Sequence, residues 1–99
     1  MGIEDFLEHG AEAVEIPLAD LKGRKRGASI VEGREILAWL GVELYGFAVK
    51  ELAKGLDKHI ETASRLVSRA ASRRAKDPNF RAKIQRVDSV IVRSIDDGG

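Results

Sequence analysis

Arginine side chains recur in the second half of this sequence at a spacing that suits recognition of a polyanion. On a helix, one face would carry residues three or four positions apart, namely Thr62, Arg65, Arg69 and Arg73. A guanidinium group can donate two parallel hydrogen bonds to a phosphate or to the edge of a guanine. No acid occurs in residues 62–76, so this face lacks a counter-ion of its own. The pattern predicts a helix that faces nucleic acid; the alternative is a bundle helix with an incidental basic face.

The charges of the chain are unevenly distributed. The formal net charge is only +1, yet residues 1–20 contain six acids and no lysine or arginine, and all 17 basic residues follow them. Residues 58–86 contain nine basic residues and two acids, a local net charge of +7. A near-neutral protein with one strongly basic segment favours a polyanionic partner, although a solvated helix face would have the same composition.

A second basic element lies in a loop between two glycines. Arg24, Lys25 and Arg26 follow Gly23 and precede Gly27. Such a loop can straddle a phosphate or reach into a minor groove. The alternative interpretation is a loop that only improves solubility.

The sequence argues against catalysis, cofactors and metals. The chain has no cysteine, which excludes disulfides and thiol chemistry, and His9 and His59 do not form a paired-ligand spacing. No glycine-rich phosphate loop is present. Glu32 and Glu35 are interpreted as carboxylates at an exposed helix start, explained by capping, and Tyr45 as a packing residue rather than a nucleophile. We therefore expect no enzyme activity, no cofactor and no metal.

Length and composition indicate one globular domain over residues 1–99. Hydrophobic residues make up 43% of the chain and charged residues 33%, as in folded, well-solvated proteins. No apolar run approaches the length of a membrane span, and the acidic N-terminus lacks the basic start of a signal peptide. We expect a cytoplasmic protein with no membrane partner.

Prolines and glycines divide the chain into short helices, which predicts an all-α fold of five or six helices. The predicted helices lie at about residues 3–14, 17–21, 29–45, 48–55, 60–76 and 78–95, with a basic loop at 22–27. Ser29 with Glu32 predicts a capping box for the third helix, and Asp77 with Pro78 predicts the start of the last. We expect residues 96–99 to fray.

Residues 48–75 match the arrangement of a helix-turn-helix, in which a short helix braces a second helix whose first residues enter the major groove. The side chains predicted to pack between the two helices are Leu52, Ala53, Leu56, Ala63, Leu66, Val67 and Ala70. The last helix, at about 78–95, carries an apolar stripe formed by Phe80, Ile84, Val87 and Ile91.

Residues from about 7 to 74 resemble the C-terminal DNA-binding domain of the bacterial replication initiator DnaA, a Trp-repressor-like helix-turn-helix. Related domains occur at the C-terminus of transposases associated with repetitive extragenic palindromes. The resemblance is carried by the basic loop at 24–26, the run EGREILAWL at 32–40 and the run LYGFAVKELA at 44–53. It implies a fold of that type and a role in replication, transposition or transcription.

The sequence departs from that family at the turn. The family signature Gly-Arg-Asp-His-Ser/Thr-Thr-Val is replaced by LDKHIETA at 56–63, one residue shorter, in which only Thr62 is retained. Ala48 stands where the family has a capping serine. The resemblance therefore does not imply recognition of an initiator box. The pair Ser64-Arg65 is closer to the pattern of a generic helix-turn-helix.

The resemblance implies phosphate contacts for one set of residues: Arg24, Lys25, Arg26 and Arg34. It implies groove or flanking contacts for a second set, which we extend along the turn and the helix: Lys50, Lys58, His59, Thr62, Arg65, Arg69 and Arg73. The expected partner is double-stranded DNA, bound by a homodimer or by one domain of a larger parent protein. The alternative is a protein-interaction or dimerisation module that uses the last helix. RNA binding is a third hypothesis, disfavoured by the presence of only five aromatic residues.

Overall fold

Helices account for almost all of the chain in the computed structural model, which describes residues 1–98. The elements in chain order are α1 (Ile3–Val14), α2 (Leu18–Lys22), α3 (Ala28–Trp39), a π-helical turn (Leu40–Leu44), α4 (Val49–Gly55), α5 (Ile60–Lys76) and α6 (Pro78–Gly98). The Cα radius of gyration is 12.2 Å, close to the value of about 13 Å for a folded chain of roughly this length. The predicted all-α fold is confirmed, with six helices. No helix within residues 1–98 combines the length and the apolar character needed to cross a membrane.

α3 lies at the centre of the fold because its middle section is covered on every side. Residues 33–38 are all buried, and Leu37 and Ala38 have no exposed surface. α3 packs most extensively against α5 and also contacts α1 and α2. The core around it is completed by fully buried side chains from the other helices: Phe6, Leu21, Leu52, Leu56, Ala63 and Ile91. All six helices thus bury apolar side chains in one shared core, which the hydrophobic effect stabilises.

Glycines allow two close contacts around α3. A β-carbon at Gly10 on α1 would lie 2.6 Å from Cδ2 of Leu37 on α3, and one at Gly33 on α3 would lie 2.7 Å from Cδ1 of Ile16, in the segment between α1 and α2. Non-bonded carbon atoms pack at about 3.5–4.0 Å. A larger residue at either position would therefore require the neighbouring side chain to shift.

The start of α6 follows the sequence prediction. Oδ1 of Asp77 accepts hydrogen bonds from the backbone amides of Asn79 at 2.9 Å and Phe80 at 3.3 Å. These bonds satisfy amides that have no partner within the helix, so the predicted N-cap is confirmed. α6 continues to Gly98, and Gly99 lies outside the described residues; the fraying of residues 96–99 stays a prediction.

The start of α3 does not follow the prediction. Ser29 lies inside the helix, whose N-cap is Gly27 with no side-chain hydrogen bond, so the predicted capping box is wrong. Glu32 instead connects three helices: its carboxylate accepts hydrogen bonds from Arg73 on α5 at 2.8 Å and from Lys83 on α6 at 2.9 Å. Glu35 is only 8% exposed. The expectation of exposed carboxylates at this helix start is therefore also wrong.

The environment of Glu32 favours its charged form. Burial alone would raise the pKa of Glu32, but the hydrogen bonds and positive charges of Lys83 and Arg73 outweigh it and hold the pKa below the ordinary value of 4.5. The side chain is 22% exposed, so solvent screens the ion pairs only in part. Because the folded-state pKa is lowered, the stability that Glu32 contributes is complete above pH 4.5 and is lost as the pH falls through the folded-state pKa.

We predict that Glu32→Gln lowers the free energy of unfolding by about 1–2 kcal/mol near neutral pH, since it removes one charge from two charge-assisted hydrogen bonds. The difference between wild type and variant should shrink as the pH falls from 4.5 through the folded-state pKa, where the wild-type carboxylate becomes protonated. Urea denaturation at neutral and acidic pH measures both effects. Glu8→Gln, at an exposed position on α1, is the matched control. A difference that is the same at both pH values would contradict the assignment.

Candidate nucleic-acid interface

α4 and α5 are joined by a four-residue turn, residues 56–59, and pack against each other as the sequence predicts. Leu52, Ala53 and Leu56 are buried on the α4 side of this contact. Ala63, Leu66 and Ala70 are buried on the α5 side, with Val67 partly buried beside them. The turn includes Asp57, whose φ of 55° is in the left-handed region. This packing leaves one face of α5 outside the core.

The outer face of α5 is polar and basic. Arg65 and Arg69 are exposed, together with the hydroxyl side chains of Ser64, Ser68 and Ser72. Within residues 1–98, the guanidinium groups of these two arginines form no hydrogen bond and no ion pair with another side chain or with a backbone carbonyl. Thr62 is half-buried at the edge of this face. The two arginines are therefore free to bind an external anion.

The last turn of α5 differs, because its arginines have partners inside the protein. Besides its bond to Glu32, the guanidinium of Arg73 lies 3.9 Å from Asp77 and 4.2 Å from the centre of the Phe80 ring. Arg74 lies 4.6 Å from the ring centre of Trp39. Such contacts of a cation with an aromatic face are attractive. The expectation that Arg73 continues the free arginine row is wrong, since it connects α5 to α3 and α6.

Arg34 is the second correction. It is 6% exposed, and its guanidinium donates hydrogen bonds to three backbone carbonyls, those of Asp20, Leu21 and Gly23, each at 2.9 Å. A buried cation must be compensated by such acceptors. The predicted phosphate contact of Arg34 is therefore wrong: its side chain fixes the end of α2 and the start of the basic loop.

Lys58 holds the same loop from the opposite side. Its ammonium group donates to the carbonyls of Lys22 at 2.7 Å and Gly23 at 2.6 Å. Burial lowers the pKa of Lys58, and the positive charges of Arg34 and Arg24 lower it further. Because Lys58 lies in the α4–α5 turn, these bonds place the basic loop directly beside the start of α5. Lys58 thus has a positioning role that the sequence did not predict, and its contact with DNA stays a prediction.

The loop cations themselves remain accessible. Arg24, Lys25 and Arg26 are all exposed, and of the three only Lys25 forms an ion pair among the described residues, with Asp20 at 3.1 Å. Burial lowers the pKa of Arg34, and the charge of Arg26 contributes, which indicates that the loop and the buried guanidinium are close. We define the basic surface as the three loop cations together with Arg65 and Arg69.

Two further predicted site residues lie at the edges of this region. His59 is the N-cap residue of α5, is exposed and makes no side-chain capping bond. Lys50 is exposed in the first turn of α4. The amide of Ala48 at the start of α4 donates to Glu51 at 3.1 Å, so Glu51 caps the helix that lacks the capping serine.

Sequence reasoning missed three polar contacts that position the site. These are the Glu32 bridge, the carbonyl bonds of Arg34, and a hydrogen bond from the Tyr45 hydroxyl to Asp88 on α6 at 2.8 Å. Burial and the bond to Asp88 raise the pKa of Tyr45 to about 12, and its ring packs on Phe6 with ring centres 4.8 Å apart. The only sequence signal for Arg34 was its place next to the apolar run Ile36–Leu37–Ala38 in the middle of α3.

No protein-family model and no curated protein sequence matches this chain. The similarity to the initiator domain thus rests on the residues quoted for it. In the part of the chain that the structure describes, no three histidine or acidic side chains come together in a way that could hold a metal ion.

We predict that Arg34→Met lowers the free energy of unfolding by about 1–3 kcal/mol, because up to three loop carbonyls lose their donor. Trypsin should also cleave the basic loop faster than in the wild type, since the loop loses its main attachment. Limited proteolysis with mass mapping and urea denaturation measure the two effects. Arg65→Met, which removes an exposed arginine without such bonds, should change neither. Unchanged loop cleavage in Arg34→Met would show that Arg34 does not hold the loop.

Proposed function

We propose that this protein binds double-stranded DNA, with α4 and α5 acting as a helix-turn-helix and the basic loop contacting phosphates. The observation that carries the proposal is the pair Arg65 and Arg69, exposed and without partners on the outer face of α5. In a helix-turn-helix the first helix braces the second, and the second lies in the major groove. The proposal assigns the chain binding and no catalysis.

The internal pairing of Arg73 and Arg74 restricts which part of α5 reads bases. Arg73 bonds to Glu32 and lies over Phe80, and Arg74 lies over Trp39. Base contacts are therefore assigned to the part of α5 that precedes Arg73, where Arg65 and Arg69 have no partner among residues 1–98. In the general geometry of the motif, the N-terminal residues of the recognition helix contact base edges, which puts Arg65 closer to the bases than Arg69.

The basic loop supplies phosphate contacts in this proposal. Arg34 and Lys58 fix the loop backbone beside the start of α5. Arg24, Lys25 and Arg26 are thereby held next to the helix that enters the groove. Phosphate contacts fix the register of the protein on the duplex and make the affinity depend on salt.

The two alternatives have less support. The apolar stripe of α6, formed by Phe80, Ile84, Val87 and Ile91, is buried in the chain's own core, so a partner protein cannot use it. RNA binding through stacked bases needs exposed aromatic rings. All five aromatic side chains are buried or half-buried.

The proposal is tested by selection of a preferred site from random duplexes, followed by affinity measurements at two salt concentrations. We predict that Arg65→Ala weakens binding to the selected site by about 1–3 kcal/mol and relaxes the sequence preference. Arg93→Ala, which removes an exposed arginine from α6, is the charge-matched control and should bind normally. Equal losses on all sequences would place Arg65 on the phosphate backbone. Wild-type protein without affinity for any duplex would disprove the proposed function.

For the basic loop, we predict a different effect on DNA affinity and on its salt dependence. The double variant Arg24→Ala/Arg26→Ala should weaken binding to all duplexes to a similar extent and reduce the slope of log affinity against log salt by about 2, roughly 1 for each lost phosphate contact. Titrations over a series of salt concentrations measure this slope. Arg86→Ala/Arg93→Ala on α6 removes the same charge and should leave the slope unchanged. If both double variants change the slope equally, the effect comes from net charge and not from loop contacts.

A further inference from the structure

The row of free cations on α5 does not end at Arg69, because a lysine two turns further on lies on the same side of the helix. An α-helix has 3.6 residues per turn, so Lys76 lies within about 20° of both Arg65 and Arg69 around the helix axis. Arg73 lies about 80° from Arg65, on the side where it bonds to α3. The exposed hydroxyl group of Ser72 lies between the arginines and the lysine. We define the outer stripe of α5 as Arg65, Arg69, Ser72 and Lys76.

The positive charge of Lys76 has no partner within residues 1–98. Its side chain is exposed, and its ammonium group forms no hydrogen bond and no ion pair there. The nearest acid in sequence, Asp77, accepts two backbone amides at the start of α6 and lies 3.9 Å from Arg73. A cation in the last turn also interacts favourably with the helix dipole, but Arg73 and Arg74 already provide two such charges. Lys76 is therefore available to an external anion in the same way as the two free arginines.

The length of the outer stripe exceeds the width of the groove that it would face. With a rise of 1.5 Å per residue, Arg65 and Lys76 are about 16 Å apart along the helix axis. The major groove of B-DNA is about 12 Å wide. A straight stripe of this length leaves the groove at one end, whether it crosses the groove or follows its curved path. When Arg65 reaches the base edges, Lys76 therefore lies at the groove edge beside the phosphates, which an ammonium group binds as a compact point charge.

The basic loop lies at the opposite end of α5. Lys58, in the turn before the helix, bonds to two carbonyls at the start of the loop and so holds the loop beside the first residues of α5. Along the helix the loop comes first, the two free arginines follow, and Lys76 is last. We infer that the duplex contacts α5 over its whole outer stripe, and that Lys76 binds a phosphate on the side of the contacted bases opposite to the loop. This inference rests on the proposed function and adds to it the orientation of α5 on the duplex.

We predict that Lys76→Gln weakens binding to all duplexes by about five- to tenfold at about 0.1 M salt and reduces the slope of log affinity against log salt by about 1, as expected for one lost phosphate contact. Lys76→Arg keeps the charge and should retain both the affinity and the slope. Arg93→Gln removes one exposed positive charge from α6 and is the matched control, which should change neither. Circular dichroism checks that all three variants are folded. An unchanged slope in Lys76→Gln, or an equal change in Arg93→Gln, overturns the inference.

Replacement of single phosphates in the selected duplex by uncharged methylphosphonates locates the contact. The wild type should lose affinity at phosphates on both sides of the bases whose preference Arg65→Ala relaxes. Lys76→Gln should lose nothing further on one side, and Arg24→Ala/Arg26→Ala should lose nothing further on the other. If both variants are insensitive to the same phosphates, the inferred orientation is overturned while DNA binding stands. Absence of duplex binding by the wild type overturns the proposed function and the inference together.

Discussion

A guanidinium group buried beneath a loop is the interaction on which the arrangement of the basic residues depends. The centre of α3 is covered on all sides, and Arg34 lies within that covered section. A cation there is costly unless dipoles compensate it. The compensation comes from three carbonyls of residues 20–23, which must therefore curl around the guanidinium. The conformation of a surface loop is in this way tied to the core.

The basic residues of the chain fall into two groups with different physical roles. Arg34, Lys58, Arg73 and Lys83 have acceptors within the protein and connect elements of the fold. Arg24, Arg26, Arg65 and Arg69 have no such acceptors among the described residues. Charge counts along the sequence cannot separate the two groups, because both consist of basic residues that come from helices and from the segments between them. Only the position of acceptors from distant segments decides which cations remain available to a ligand.

The elements of the fold were predictable because their signals are local. The apolar spacing that marks α4 and α5, and the Asp77 cap of α6, involve residues within a few positions of one another. The errors concern contacts across the chain. Glu32 fits a capping pattern with Ser29, yet its partners are 41 and 51 residues away on α5 and α6. The anchoring role of Arg34 depends on carbonyl groups, which no side-chain pattern reveals. The prediction of unpaired arginines on α5 is correct for Arg65 and Arg69 among the described residues, and it is wrong for Arg73, which the distant Glu32 reaches.

The acidic N-terminal helix gives the molecule a second charged side, and this bears on how a polyanion would be bound. The four acids of α1 are exposed, as is Glu15 directly after it, and α1 packs mainly against α6 and α4. With a net charge of +1, the whole molecule is only weakly attracted to a polyanion at distances beyond the Debye length of about 8–10 Å. A polyanion that approaches the acidic side of α1 is repelled, whereas one that approaches the basic surface is attracted. If the proposed function holds, this difference disfavours approach through α1 before any base is contacted.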